Sequence, residues 1–275
     1  MVPAPPTVGV IQFPGSNCEY ETARSLDAVG LEGRIFRWNQ HREMSSSDCR
    51  AYVLPGGFSF QDRVRAGAVG AKERIMDFLF EEAGRGRPVL GICNGAQILV
   101  ESGLVPGWTP GMIESSLAGN LVEGRSGYLS RWVFLTATTR GRDVCPWLCR
   151  VPDGAIPVPI AHAEGRFVFP DRVTGSTGPR AGFLYTDHSG RPANGWPDNP
   201  NGSQFGIAGL MNESGNVLAM MPHPERAFWL WQVPPALAGP WGERRRGSGS
   251  STGTEEEYGP GEAVFRSLAH SLGVR

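Results

Sequence analysis

The sequence predicts an α/β protein with a mostly parallel, twisted sheet that is flanked by helices and extended by extra strands in the second half of the chain. Three observations support this fold class. Short apolar runs alternate with amphipathic segments over the first hundred residues, turns rich in glycine and proline separate them, and strand-like runs dominate the second half. A chain of 275 residues, of which 40% are hydrophobic, is long enough to bury a large core.

In the first half of the chain, the apolar runs are predicted strands: Thr7–Gln12, Glu32–Trp38, Ala51–Leu54 and Pro88–Ile92. Three segments with apolar residues at helical spacing are predicted helices: Tyr20–Val29, Val69–Phe80 and Asn94–Ser102. Strands that alternate with helices over such short intervals are typical of βαβ units, in which neighbouring strands run parallel. We therefore expect the helices to cover a parallel sheet.

The second half contains six predicted strands, separated by turn residues: Trp132–Thr138, Ile156–Ala161, Arg166–Phe169, Ala181–Tyr185, Phe205–Met211 and Val217–Met221. A segment rich in glycine, serine and charged residues, from about residue 239 to 261, is predicted to be a mobile surface loop. Residues 262–272 have apolar side chains on one helical face, which predicts a docked C-terminal helix. We expect a single domain over residues 1–275.

Composition excludes some classes of function. The 26 Lys+Arg and 27 Asp+Glu residues nearly balance, so no charged surface for nucleic acid or an anionic membrane is expected. The uncharged stretch Ala227–Gly242 is shorter than the roughly 20 apolar residues that span a membrane. The N-terminus lacks the charged region of a signal peptide. We therefore expect a cytoplasmic protein with free thiols.

The strongest local motif is Gly91-Ile92-Cys93-Asn94-Gly95, which lies between an apolar strand and a helix. Glycines two residues before and after a nucleophile are typical of the sharp turn that holds its side chain above a sheet. The following backbone N–H, on Asn94, would be a natural oxyanion donor. The alternative is that Cys93 is a buried apolar thiol. Of the other cysteines, Cys18 could line a site after the first strand, because ligands of α/β proteins bind at that edge.

A thiol nucleophile needs a base, and the base needs a group that orients it. Two His-x-Glu pairs follow predicted strands: His223 with Glu225, and His162 with Glu164. In either pair, the carboxylate could hold one ring nitrogen and leave the other for the cysteine. Spacing alone leaves open which pair serves, or whether both are ordinary surface pairs.

The run Pro55-Gly56-Gly57-Phe58 follows the third strand. A double glycine in such a loop exposes backbone N–H groups, which can bind an anion. A plain tight turn is the alternative. No Walker sequence and no Gly-x-Gly-x-x-Gly before a helix is present in the sequence, so the chain is expected to bind no nucleotide cofactor.

Taken together, these motifs resemble the class I glutamine amidotransferases. Within that family, the Ile-Cys-Asn-Gly elbow at 92–95 and the His-Pro-Glu-Arg run at 223–226 are similar to the glutaminase subunits of phosphoribosylformylglycinamidine synthase. Further similar pieces occur in the same order, at 13–18, 65–67, 131–133, 160–165 and 199–203. The resemblance implies a flavodoxin-like amidotransferase fold. It also implies that glutamine is hydrolysed here, and that the ammonia passes to a synthetase that aminates formylglycinamide ribonucleotide in purine biosynthesis.

The resemblance also implies roles for individual residues. Cys93 matches the nucleophile, His223 the base and Glu225 the residue that orients the base, while Gly57 and Asn94 match the oxyanion hole. Other residues match the borders of the glutamine pocket: Gly56, Phe58, Gln97, His162 and Glu164. No metal is expected in this chain, since ATP and Mg²⁺ would act in the synthetase. The implied partners are that synthetase and a small third subunit.

The sequence departs from the family pattern at Gln61, Arg63, Ala96 and Ala163, none of which is a catalytic position. Two alternatives remain open. The chain could be a class I amidotransferase that serves another synthetase, or a non-catalytic regulatory subunit with a degenerate site. The complete set of Cys93, His223 and Glu225 argues against the second alternative.

Overall fold

The computed structural model describes residues 4–109, 111–122, 124–171, 173, 178–248 and 257–274. Thirteen strands lie in these ranges: β1 Thr7–Gln12, β2 Glu32–Arg37, β3 Ala51–Leu54, β4 Val89–Ile92, β5 Ser116–Gly119, β6 Leu121–Val122, β7 Arg125–Ser126, β8 Leu129–Ala137, β9 Ile156–His162, β10 Glu164–Val168, β11 Ala181–Thr186, β12 Ile207–Met211 and β13 Val217–Met220. Seven α-helices accompany them: α1 Glu19–Ala28, α2 His41–Ser45, α3 Ile75–Gly84, α4 Asn94–Glu101, α5 Thr139–Val144, α6 Pro240–Gly247 and α7 Glu262–Ser271. The predicted α/β fold class is confirmed.

Nine strands form one sheet in the order β2-β1-β3-β4-β13-β12-β11-β8-β9. The first five strands of that order are mutually parallel. Their central members are apolar and buried over their whole length, as is typical of strands covered on both faces. The remaining four strands pair antiparallel with their neighbours and are the extra strands of the second half.

This topology brings several strand ends to one edge of the sheet. Parallel strands β1, β3, β4 and β13 all end there. Strand β9 also ends there, because the four antiparallel pairings between β13 and β9 reverse the direction four times, so that the two strands run the same way. Ligands of α/β proteins bind at this edge, outside the carboxyl ends of the strands. The sequence segments that follow these five strands contain all three predicted catalytic side chains.

Helix α4 is the most deeply placed helix. All eight of its residues are buried, and it packs against strands β3, β4 and β13. Because a helix that is buried all round cannot tilt without opening a cavity, α4 fixes the position of its own N-terminus, where Cys93 lies.

The structure differs from the sequence prediction for the helix at Val69–Phe80. A short 3₁₀ turn occupies Gly70–Lys72, the backbone of Glu73 is extended, and the α-helix begins only at Ile75. Gly70 packs closely on α4, since a Cβ atom there would lie 3.0 Å from the Ile98 Cδ1 atom. Packing against α4 therefore outweighs the helical periodicity of the sequence.

The segment predicted as a mobile loop also differs in part, because residues 240–247 form helix α6. Pro240 lies in its first turn, where a missing N–H costs nothing, and three arginines lie in its last turn, where the helix dipole favours positive charge. Residues 249–256 of that prediction lie outside the described ranges. The C-terminal helix is present as α7.

The longest helices of the described ranges, α1, α3 and α7, have 10 residues each. None of the described helices is long and apolar enough to cross a membrane.

Candidate active site

Cys93 lies at a sharp turn between β4 and α4. Its backbone has φ 50° and ψ −105°, a conformation that costs a residue with a side chain about 1–3 kcal/mol. The flanking glycines allow the turn: a Cβ atom on Gly95 would lie 1.9 Å from the Leu54 carbonyl oxygen, and one on Gly91 would lie 2.6 Å from the Gly95 oxygen. The predicted elbow is therefore present, with the cysteine at the N-terminus of a buried helix.

His223 and Glu225 form a buried pair directly after β13. The Nδ1 atom of His223 lies 2.6 Å from the Oε1 atom of Glu225, and the two side chains are 3% and 0% exposed. Burial by itself lowers the pKa of His223, but the charges of Glu225 and Cys93 outweigh burial and raise that pKa well above its usual value. The pair therefore favours a protonated imidazole whose orientation is fixed by the carboxylate.

The other ring nitrogen of His223, Nε2, is buried and has no hydrogen-bond partner among the described residues. Cys93 lies close enough to contribute to the pKa of the ring. The carboxylate thus occupies one nitrogen and leaves the other available, which is the arrangement that a proton shuttle requires.

A second thiol, Cys18, lies on the Nδ1 side of the same ring. Its sulfur is 4.0 Å from His223 Nδ1, 3.1 Å from the Oδ1 atom of Asn17 and 3.1 Å from the Nη2 atom of Arg226. Burial raises the pKa of the Cys18 thiol, although the hydrogen bond with His223 acts in the opposite direction. Cys18 is fully buried and sits next to the ring nitrogen that Glu225 already holds.

The donor atoms of Cys18, His223 and Glu225 lie within 4.8 Å of one another, close enough to ligate one metal ion. The chemistry of the group opposes this, because the Arg226 guanidinium donates to the Cys18 sulfur at 3.1 Å and would repel a cation. His223 Nδ1 would also have to leave Glu225 in order to bind a metal.

Six of the predicted site residues line one cavity of about 70 Å³: the proposed nucleophile Cys93, the oxyanion-hole candidate Gly57, and the pocket candidates Phe58, Gln97, His162 and Glu164. They come from three separate segments of the chain, which the sheet topology brings to one edge. Gly56 lies beside this cavity and contacts His223: a Cβ atom on Gly56 would lie 2.6 Å from the ring Cε1 atom.

The backbone N–H of Gly57 makes no hydrogen bond with the neighbouring Ser16 segment. Ser16 and Gly57 are opposite each other in an antiparallel bridge, and the hydrogen bonds that close it join Asn17 to Gly56 and Phe58 to Gly15. In such a bridge, the two facing residues do not exchange hydrogen bonds. The N–H of Gly57 is therefore left unused by the bridge, and Gly57 is one of the residues that line the cavity.

The side chain of Asn94 supports the loop that carries Phe58. Its Oδ1 atom accepts the backbone N–H of Ser59 at 2.9 Å, and its Nδ2 atom donates to Gln97 Oε1 at 3.0 Å. Gln97 in turn donates to the backbone oxygen of Glu164 at 2.6 Å. One buried polar network therefore connects the helix after Cys93 to the loops on either side of the cavity.

His162 and Glu164 do not pair with each other as His223 and Glu225 do. The Nδ1 atom of His162 lies 3.1 Å from the Oδ1 atom of Asn120, and the Glu164 carboxylate accepts the backbone N–H of Ala66 at 3.3 Å. Burial, and to a lesser extent the nearby His223, lowers the pKa of His162 to about 3. His162 is thus a neutral wall of the cavity.

Sequence reasoning missed Asp62, Tyr128 and Asn120. The first two line the cavity, and the third holds His162. Burial, followed by the charge of Glu164, raises the pKa of Asp62. No local motif marks these residues; they join the site through loops whose path only the folded chain defines.

The loop after Ser59 contains the departures Gln61 and Arg63, and its backbone is unusual. Phe60, Gln61, Asp62 and Val64 all have positive φ values of 52°, 61°, 51° and 73°. Such values are uncommon for residues with side chains and uncommon above all for a β-branched valine. The network from Asn94 holds this loop against the site, which explains how a strained backbone persists there.

The chain is similar to known proteins in family, sequence and structure. Residues 5–268 match the model of the CobB/CobQ-like glutamine amidotransferase domain. The chain is 41% identical to the phosphoribosylformylglycinamidine synthase subunit PurQ of Methanothrix thermoacetophila over 98% of each chain. It is 40% identical to the PurQ subunit of Pyrococcus horikoshii over 79% of this chain and 87% of that protein.

Among solved structures, one of PurLQS from Thermotoga maritima aligns with a TM-score of 0.69 and 30% identity, over 98% of this chain and 99% of that one. A glutamine amidotransferase from the same organism aligns with a TM-score of 0.51 and 16% identity, over 97% of each chain, a likeness that concerns the fold alone. The match over nearly the whole chain, together with the geometry of Cys93 and His223, leads to one conclusion: the chain belongs to the CobB/CobQ-like glutamine amidotransferases and, within them, to the PurQ family.

Proposed function

We propose that this chain hydrolyses L-glutamine to glutamate and ammonia, and that it is the glutaminase component of a phosphoribosylformylglycinamidine synthase. One observation carries the proposal: the strained Cys93 elbow and the buried His223–Glu225 pair meet at the same edge of the sheet, beside a small cavity. Family membership supplies the substrate, since the PurQ relatives match over most of their length.

In the proposed mechanism, Cys93 attacks the carboxamide carbon of glutamine as a thiolate. The N-terminus of α4 puts positive partial charge beside the sulfur, and the protonated His223 ring stabilises the thiolate as an ion pair. Cys93 is a better candidate nucleophile than Cys18 for two reasons. Cys93 lines the cavity, and Glu225 binds Nδ1 of His223, which leaves Nε2 of that ring available to Cys93.

Attack converts the carbonyl oxygen to an oxyanion. The backbone N–H groups of Gly57 and Asn94 are its proposed donors. The first is left unused by the Ser16 bridge, and the second belongs to the first turn of α4, whose N–H groups have no partner within the helix. One such donor is typically worth about 10²–10³ in rate.

The C–N bond then breaks while His223 Nε2 gives its proton to the leaving nitrogen, so that ammonia departs and a γ-glutamyl thioester remains on Cys93. His223 next takes a proton from water, the resulting hydroxide attacks the thioester carbon, and glutamate leaves with regeneration of the thiolate. Glu225 holds the ring in one orientation and stabilises its charged form throughout.

The ammonia goes to a synthetase partner, which aminates formylglycinamide ribonucleotide in purine biosynthesis. The likeness of this chain to a chain of the PurLQS structure from Thermotoga maritima supports a complex of this kind. ATP and Mg²⁺ act in the synthetase, and a small third subunit is part of the proposed complex. We place this complex in the cytoplasm, where purine synthesis would supply its substrates.

The experiment that tests the proposal is covalent labelling with an electrophilic glutamine analogue, with and without the synthetase partner. We expect modification of Cys93, located by peptide mass spectrometry, and protection by added glutamine. Modification of Cys18 instead would assign the nucleophile to the other side of His223. No modification of either cysteine in the complex would favour a regulatory subunit over a glutaminase.

A further inference from the structure

His162 is a buried histidine of the cavity wall that the proposed mechanism does not use. It is 3% exposed, and its ring stands over Gly165, where a Cβ atom would lie 2.1 Å from the ring Cε1 atom. Its Nε2 atom is buried and has no hydrogen-bond partner in the described part of the chain. Buried polar atoms are nearly always paired, so an unpaired one in the wall of a substrate cavity indicates a bond that is made when the cavity is occupied.

The neighbouring Asn120 determines which ring nitrogen carries the proton. The Asn120 Nδ2 atom donates to the backbone oxygens of His162 and Gly127, at 2.8 and 2.9 Å. Its Oδ1 atom therefore faces His162 Nδ1 at 3.1 Å, and it also accepts the backbone N–H of Gly165 at 3.1 Å. A carbonyl oxygen can only accept, so the proton of His162 is on Nδ1 and Nε2 presents a lone pair.

The imidazole of His162, which provides this acceptor, is also kept neutral. Burial is the main reason, and the charge of His223 adds to it, so that the pKa of His162 falls to about 3. At neutral pH, Nε2 can accept a hydrogen bond without taking up a proton. This distinguishes His162 from His223, whose ring is charged and acts as the proton donor.

We infer that Nε2 of His162 accepts an N–H of the glutamine carboxamide and keeps that bond to the ammonia as it leaves. The inference rests on the proposed glutaminase function. The carboxamide nitrogen has two N–H groups; when one points at His162, the nitrogen lone pair that forms in the tetrahedral intermediate can face His223. In this step, the C–N bond breaks, the proton moves from His223 to nitrogen, and His162 exchanges no proton with the ammonia.

The test compares two substrates of the complex with its synthetase: glutamine, and the γ-methyl ester of glutamate, whose leaving group has no N–H. Both form the same thioester on Cys93, and kcat/KM reports the step that forms it. We expect His162→Phe to lower kcat/KM for glutamine about tenfold, the effect of one lost hydrogen bond, and to leave the ester reaction within about twofold of wild type. The ratio of the two rates does not depend on how much of the variant is folded.

Two further measurements complete the experiment. His162→Gln, which retains an acceptor atom at a similar distance from the backbone, is expected to restore the amide-to-ester ratio toward the wild-type value; a ratio as low as that of His162→Phe would count against the acceptor role. An equal loss on both substrates, or no loss on glutamine, would overturn the inference. Absence of glutamine hydrolysis by the wild-type complex would instead overturn the proposed function, and the inference with it.

Discussion

The Glu225 carboxylate and the His223 imidazole lie 2.6 Å apart, and only Pro224 separates the two residues in the chain. Both side chains are buried, and a buried carboxylate is costly unless it is paired with a charge or several donors. The Oε2 atom of Glu225 has no partner in the described ranges, so the ring is its main compensation. The two residues therefore form one electrostatic unit, and a change in Glu225 alters the pKa of His223.

Glu225→Gln should preserve the shape of this unit while removing its charge. The expected loss in kcat/KM for glutamine is about 10- to 100-fold, the range for one charge-assisted hydrogen bond. Because Glu225 raises the pKa of His223, the ring should lose its proton at a lower pH in the variant. The alkaline limb of the pH–rate profile should therefore shift to lower pH. Kinetics over a range of pH, with His223→Ala as the variant that removes the acid altogether, measure both effects. An alkaline limb that does not move would mean that another group controls it.

Cys93→Ala should abolish glutamine-dependent synthesis by the complex and leave ammonia-dependent synthesis intact, because only the first requires a thioester. Product formation with glutamine and with ammonium chloride as alternative nitrogen donors measures this. Cys18→Ser serves as the matched control: a hydroxyl can still donate to Asn17 and accept from Arg226, so glutamine use should remain within about tenfold of wild type. Loss of ammonia-dependent synthesis in Cys93→Ala would contradict the division of labour between subunits.

Gly56→Ala should displace His223, since a Cβ atom there would lie 2.6 Å from the ring Cε1 atom and 3.1 Å from the Cys18 sulfur. The ring is closely packed and has no room to retreat, so we expect a loss of about 10² in kcat for glutamine hydrolysis, as for other small misplacements of a catalytic group. Gly84→Ala is the control, because no atom lies within 4 Å of the added Cβ at that position. Unchanged activity in Gly56→Ala would show that the ring moves freely.

Asn94→Ala tests the support of the strained loop. The substitution keeps the proposed oxyanion N–H of residue 94 but leaves the buried N–H of Ser59 without its acceptor. We expect a loss of about 1–3 kcal/mol in the free energy of unfolding, seen as a lower Tm. Gln40→Ala removes a similar bond, to the N–H of Arg37, at the surface, where water can replace it, and should cost much less. Equal losses in the two variants would argue against a special role of the Asn94 network.

Much of the site could be predicted from the sequence because its main features are local. The elbow at Cys93 needs only a strand, two glycines and a helix in succession, and those signals lie within a dozen residues. The bond between His223 and Glu225 joins residues two apart, so their spacing already predicted it as one option. The same spacing at His162 and Glu164 gave no such bond, because Asn120 occupies the ring nitrogen.

The sequence by itself determined the fold class, the motifs of the candidate site and the family, since each depends on short patterns of polarity and turn residues. Only the tertiary structure decided that Asp62, Tyr128 and Asn120 belong to the site, that helix α3 begins at Ile75, and that Cys18 shares His223 with Glu225. The physical reason is the same in each case. These features depend on contacts between segments far apart in the chain. The site residues meet where strands β1, β3, β4, β9 and β13 bring their ends to one edge of the sheet, and the start of α3 is set by packing against α4.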